Sequence, residues 1–158
     1  MFIIDDKIDK QIISEYYNKI SKHYDIHINH GADPLEWYPA RNIVLSNNDK
    51  LITIVKDLLE SYLRVELTLN FAELQTWPIG SKANLHTHEY RPREDYNSLL
   101  YLNNNFTGGN FYTDNLQIEP VEGRLTFFDG RVVPHGVKKV FDNHRHTAIF
   151  WWKNTNFK

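Results

Sequence analysis

The chain of 158 residues contains no cysteine. That absence removes disulfides, iron–sulfur clusters and thiolate metal sites, so any metal here must be held by His, Asp or Glu. An excess of either charge is also missing. With 18 Lys and Arg against 20 Asp and Glu, the formal net charge is −2, which gives no electrostatic case for nucleic acid or an anionic membrane as partner. No apolar run approaches the roughly 20 residues that a membrane span needs. Phe2-Ile3-Ile4 gives way at once to Asp5-Asp6-Lys7, which does not make a signal-peptide core, and a cytoplasmic protein is the expectation. Internal repeats and linkers are absent too; the nearest to low complexity is Asn103-Asn104-Asn105, a loop tip. Oligomeric state leaves no trace in the sequence.

What is present is a globular composition, 41% hydrophobic and 14% aromatic, long enough for one domain over 1–158 with a proper core. Residues 1–64 read as mainly helical. Ile12, Ile13, Tyr16, Tyr17 and Ile20 recur at helical spacing from Asp9 to Ile20. Leu51, Ile54, Val55, Leu58, Leu59, Tyr62 and Leu63 form a second stripe, with cap candidates from Ser46 to Asp49. Residues 21–48 are otherwise irregular, marked by Gly31, Pro34 and Pro39. Past Tyr62 the period drops to two: Val65, Leu67, Leu69 and Phe71 alternate with polar residues, a half-buried strand. Short β-type runs follow at 74–77, 85–90, 98–102, 110–112, 124–128, 137–141 and 147–152. Two helices followed by many short strands predict an α+β fold, a jelly-roll (double-stranded β-helix) core over 65–158 with N-terminal supporting helices.

His86 and His88 are separated by one residue on a predicted strand, so alternation gives the two imidazoles one common target. His135, in Val133-Pro134-His135-Gly136-Val137, lies 49 positions after His86 and must come from a different strand. Arg145 follows ten positions later, a planar fork suited to a small carboxylate. Imidazole ligands suit iron, zinc, copper and nickel.

These residues sit in a longer ordered pattern. Trp77-Pro78-Ile79-Gly80 precedes His86-Thr87-His88 by five residues. Tyr101-Leu102-Asn103, Phe106-Thr107-Gly108-Gly109, Pro120-Val121-Glu122-Gly123, Phe127-Phe128, His135-Gly136-Val137 and Arg145 then follow in order. The stretch from Trp77 to Trp152 resembles the catalytic core of the Fe(II)/2-oxoglutarate-dependent dioxygenases, in their prolyl 4-hydroxylase-like branch. The resemblance implies a jelly roll holding Fe(II) at His86, position 88 and His135. It also implies 2-oxoglutarate as cosubstrate with its distal carboxylate on Arg145, and O2 as oxidant. Tyr101 would add a hydrogen bond to that carboxylate, or serve as a core aromatic with a satisfied hydroxyl; Thr147 sits where a helping hydroxyl would stand. No catalytic side chain beyond the metal ligands is implied. The activity would be hydroxylation of a peptidyl residue, an amino acid or a small metabolite, with release of succinate and CO2.

One position departs from that family. Residue 88 should be Asp or Glu and is His. A side chain that large disfavours halogenation, which needs a small residue there. What remains is a three-histidine site, or one in which Glu89 replaces His88 through a local bulge, although ordinary pleating aims Glu89 at the opposite face. Two alternatives stay open. One is a non-catalytic metal-binding jelly-roll module. The other is a cupin-type three-histidine metalloenzyme without 2-oxoglutarate, since Gly80 to His88 fits G-x5-H-x-H. The cupin pattern then falters, because Glu94 comes one residue late and Tyr101 stands where glycine is wanted. His144 and His146 are expected at the surface or pocket rim, with an inward His146 as the alternative. Trp77, Trp151 and Trp152 are expected in core and pocket wall, and Arg91, Arg93 and Arg124 as solvated loop charges. The segments 21–48 and 89–97 are where a substrate lid would sit.

Overall fold

The computed structural model of the chain describes residues 1–23, 41–88 and 96–154. Among the described residues, twelve strands and two helices run in the order β1 (Phe2–Ile4), α1 (Lys10–Ser21), β2 (Arg41–Val44), α2 (Lys50–Leu63), β3 (Leu67–Trp77), β4 (Ala83–His86), β5 (Tyr96–Tyr101), β6 (Thr107–Gly108), β7 (Phe111–Thr113), β8 (Gln117–Ile118), β9 (Leu125–Phe128), β10 (His135–Val137), β11 (Val140–Phe141), β12 (Arg145–Asn154). A six-stranded sheet has the order β1-β9-β5-β12-β3-β2, and a four-stranded sheet the order β4-β10-β7-β8. All pairings are antiparallel. This is the jelly-roll arrangement the strand pattern predicts.

Both helices form where the apolar stripes place them. Asp9 caps α1 by accepting from the Gln11 amide at 2.7 Å, and Asp49 caps α2 by accepting from Leu51 at 2.9 Å. Such caps satisfy donors that the first helical turn leaves orphaned. The buried faces, Ile13, Tyr16 and Ile20 on α1 and Leu51, Ile52, Val55 and Leu59 on α2, pack on the outer side of the large sheet against β3 and β12. The Asp49 carboxylate also accepts the Tyr16 hydroxyl, tying one helix to the other. Burial beside that carboxylate pushes the Tyr16 phenol well above its ordinary range.

The strands differ from expectation at their ends. β3 is one continuous strand where a break is expected near Phe71. The nominally helical part also contributes β1 and β2, the two edge strands of the large sheet. β4 stops at His86, so His88 lies past the strand rather than on it.

The central strand β12 organises both faces of the large sheet. Ala148 and Phe150 pair with Leu74 and Ala72 on β3, and Ala148 pairs with Leu100 on β5; all of these join the helix-backed core. Arg145, Thr147, Ile149 and Trp151 point the other way, beside Trp77, Gln75 and Glu73 on β3 and Tyr101, Leu99 and Asn97 on β5. Alternation thus divides residues of the helix-backed core from those on the inner face of the sheet.

Asp49→Ala should lower unfolding free energy by about 2 kcal/mol in denaturant titrations. Loss of a cap alone costs about 1 kcal/mol, and an unsatisfied Tyr16 hydroxyl supplies the rest. Adding Tyr16→Phe should then cost less than it does in the parent protein; strict additivity would show that the two groups are not coupled.

Candidate metal and carboxylate site

The inner face of the large sheet and the four-stranded sheet enclose a cavity of about 220 Å³. Its walls are mainly apolar, with Trp77, Leu99, Phe111, Phe128, Ile149 and Trp151 prominent, and His86, His88 and His135 meet in it. His86 and His135 face each other directly across the β4–β10 pairing. Ring centroids are 4.5 Å apart for His86 and His135, 4.7 Å for His88 and His135, and 5.5 Å for His86 and His88. One ring nitrogen from each of the three lies within 4.8 Å of the others. The convergence expected of these residues is present, although only His86 and His135 owe it to strands. Glu89 lies outside the described residues, as do Arg91, Arg93, Glu94 and, of the expected lid segments 21–48 and 89–97, residues 24–40 and 89–95.

Each imidazole is tied back through Nδ1. His86 Nδ1 lies 2.8 Å from the Asn84 carbonyl, His135 Nδ1 2.8 Å from the Val133 carbonyl, and His88 Nδ1 3.2 Å from Asn97 Oδ1. A carbonyl oxygen can only accept, so the proton resides on Nδ1 and each Nε2 keeps its lone pair. Three neutral imidazole nitrogens are a donor set that fits Fe(II). His135 is stacked on Phe111 and edge-on to Phe128, with centroids 5.5 Å and 4.8 Å away. That burial, with His88 and His86 adding to it, lowers its pKa from 6.5 to about 3.

Arg145 is fully buried at the start of β12. Its Nε donates to the Gly109 carbonyl at 3.0 Å, while the guanidinium carbon lies 5.4 Å from the Trp77 ring and 5.2 Å from that of Tyr101. Gly109 is required there: a Cβ would stand 2.7 Å from Phe106 and 3.1 Å from Arg145 Cδ. Neither Nη of Arg145 has a hydrogen-bond partner, and the buried Thr147 hydroxyl has none either. Burial lowers the Arg145 pKa, and the Tyr101 phenol opposes this without an aligned hydrogen bond to either Nη. A buried guanidinium with two free nitrogens is costly unless an anion completes it, so the arrangement fits the carboxylate of 2-oxoglutarate. The Tyr101 oxygen accepts from the Phe111 amide at 3.3 Å, which leaves its own proton available to that carboxylate.

Other expectations change. His146 is neither at the surface nor at the rim: it is buried on the helix side, 2.9 Å from Thr76 Oγ1 and edge-on to Tyr17. His144 accepts from the Ile79 amide at 3.2 Å. The tryptophans divide between pocket wall and core as expected: Trp77 and Trp151 line the cavity, and Trp152 belongs to the helix-backed core and donates to Ser98. Arg124 is not a free loop charge; it forms a forked pair with Asp5 at 2.8 and 2.9 Å. Sequence reasoning missed Asn97, because β5 was expected to begin at Ser98; counting back by twos from Tyr101 reaches it. A buried polar row on β3 also escaped notice, in which Trp77 donates to Gln75, and Gln75 and Asn42 donate to the Glu73 carboxylate.

Because His135 titrates at about 3 when folded and 6.5 when unfolded, it favours the folded state above pH 6.5. That contribution is lost as pH falls from 6.5 toward 3. The melting temperature of metal-free protein should drop over this window, and less steeply for His135→Leu; equal slopes would contradict the assignment.

Residues 73–153 match the family model of the 2OG-Fe(II) oxygenase superfamily, about half of the chain. Prolyl 3-hydroxylase 1 of Homo sapiens is 39% identical over 66 residues, covering 37% of this chain; the match spans 9% of that relative's length. Among solved structures, the viral collagen prolyl hydroxylase of Paramecium Bursaria Chlorella virus-1, in its 2OG complex, superposes with a TM-score of 0.76 at 15% identity, covering 96% of this chain and 94% of that one. A Pseudomonas putida prolyl-4-hydroxylase gives 0.72 at 15% identity, over 96% and 91%. These likenesses establish the jelly-roll fold, and the family match resolves the cupin alternative. The three converging imidazoles, the buried arginine and the matched core agree: the chain belongs to the 2OG-Fe(II) oxygenase superfamily.

Proposed function

We propose that the protein is an Fe(II)- and 2-oxoglutarate-dependent hydroxylase of a peptidyl residue, with His86, His88 and His135 as its metal ligands. The observation that carries this is Arg145, buried with both Nη atoms unpartnered, on the same sheet face as the residues lining the histidine cavity. Fe(II) held by the three histidines would supply, with 2-oxoglutarate, oxidising chemistry that puts one atom of O2 into a substrate C–H bond and the other into succinate, with release of CO2. The side chains do the rest. Arg145 holds the distal carboxylate through its free Nη atoms, and Thr147 and Tyr101 offer it hydroxyl donors. Trp77, Phe111, Phe128 and Ile149 keep water from the reacting centre.

A peptide substrate is supported by two further groups. Asn97 Nδ2 and Trp151 Nε1 are buried donors without partners, on residues that pair directly across β5 and β12 on the cavity wall. Both are uncharged, and the buried Glu73 carboxylate on the same face disfavours an anion beside them. Neutral donors in that setting suit an amide carbonyl. The prolyl hydroxylases to which the chain is similar act, by their names, on proline.

The direct assay is succinate formation from 2-oxoglutarate with Fe(II) and proline-containing peptides. Arg145→Ala should weaken 2-oxoglutarate binding by about 100-fold or more, since removing one member of a buried charge pair costs about 2–5 kcal/mol. Wild-type affinity in that variant would sink the assignment. Trp151→Phe should raise KM for a peptide substrate about 10-fold with 2-oxoglutarate binding intact, in line with one lost hydrogen bond of about 1–1.5 kcal/mol. The alternative of a non-catalytic metal-binding module is motivated by the missing carboxylate at position 88. Turnover that appears only in His88→Asp would support it, and wild-type turnover excludes it.

A further inference from the structure

The histidine at position 88 is held by two segments distant in sequence. Its backbone amide donates to the Gly130 carbonyl at 2.7 Å, just past β9. Its Nδ1 meets Asn97 Oδ1 at 3.2 Å, from the inner face of β5. Asn97 is 2% exposed, and its register on β5 places it opposite Phe128 and Trp151, so the amide has little freedom to move away. Gly130 leaves room for both groups. A Cβ there would stand 2.2 Å from Asn97 Oδ1 and 2.7 Å from His88 Nδ1, closer than real contacts allow. The chain has no regular structure to aim this ring, because β4 has already ended at His86.

Tautomer chemistry gives the amide a specific task. A metal on Nε2 requires the proton on Nδ1, and a proton there in a buried site requires an acceptor. Asn97 Oδ1 is that acceptor. Were the amide turned to present Nδ2, Nδ1 would have to accept, Nε2 would carry the proton, and His88 would be lost as a ligand. We infer that Asn97 is the positioning residue that makes His88 a metal ligand, and that Gly130 preserves the space in which the two meet. The inference rests on the Fe(II) assignment proposed above and deepens it. Histidine at 88 is a fitted replacement for the usual carboxylate, with its own supporting residues.

The test is anaerobic Fe(II) affinity by chelator competition, with 2-oxoglutarate binding and metal-free melting temperature measured on the same samples. Asn97→Leu removes the acceptor at similar volume and should weaken Fe(II) binding by about 10- to 100-fold, the usual cost of losing an outer hydrogen-bond partner. Asn97→Asp restores an acceptor and should bind Fe(II) at least as well as the parent. Gly130→Ala should weaken it like Asn97→Leu. In a His88→Ala background, Asn97→Leu should have no further effect on Fe(II) affinity. A merely structural role would lower the melting temperature without this pattern. If Asn97→Leu does not fold, Asn97→Ala removes the acceptor without added bulk and carries the same comparison. Parental Fe(II) affinity in the variant lacking the acceptor, or equal loss in Asn97→Asp and Asn97→Leu, would overturn the inference while leaving 2-oxoglutarate binding, and so the broader assignment, intact. A parent protein that binds neither Fe(II) nor 2-oxoglutarate overturns both.

Discussion

Alternation along β12 is the constraint on which the rest depends. Hydrogen-bonded on both sides, to β3 and β5, the strand cannot slip by one residue without exchanging its faces. Such a slip would drive Arg145, Thr147 and Trp151 into the helix-backed core and turn Ala148, Phe150 and Trp152 toward the cavity. The helices matter for function mainly through this. By covering one face of the large sheet with Ile13, Ile20, Leu51 and Leu59, they commit the opposite face to the site.

Within that frame, the inner face of the large sheet and the cavity against it collect groups that are expensive to bury. Arg145 carries its charge into a fully enclosed position with one hydrogen bond to a backbone carbonyl. His135 sits between phenyl rings, where its charged form is strongly disfavoured. A fold tolerates such costs when a ligand offsets them: an anion would complete the guanidinium and a metal would take the imidazole lone pairs. Three neutral ligands leave a bound Fe(II) one charge more positive than two histidines and a carboxylate would. That should tighten the hold on a dianionic cosubstrate and shift the redox poise of the metal.

Much of this was legible in the sequence, and the reasons are physical. The helices announce themselves by apolar spacing, and the second also by its cap candidates from Ser46 to Asp49. The last strand does so by its aromatic run. His86, His135 and Arg145 stood in an ordered pattern whose spacings the fold enforces. The short strands β1, β2, β6 and β8 show no period of their own and do not stand out in the sequence. His88 was placed on a strand because His-x-His implies alternation; the chain instead leaves the strand and aims the ring through Gly130 and Asn97. Those two residues could not be found from local pattern, because their role exists only where three separated segments meet. His146 follows the inward alternative rather than the surface or rim, because alternation along β12 sends it to the face opposite Arg145.

The account stands or falls on what occupies the coordination sphere. A crystal structure of the Fe(II)-loaded protein, with anomalous scattering at the iron edge, measures this directly. Three contacts at about 2.1 Å from Nε2 of His86, His88 and His135 are predicted, the ordinary metal–imidazole distance. An iron that instead takes a carboxylate oxygen of Glu89 with His88 turned away, or that lies elsewhere in the protein, would contradict it.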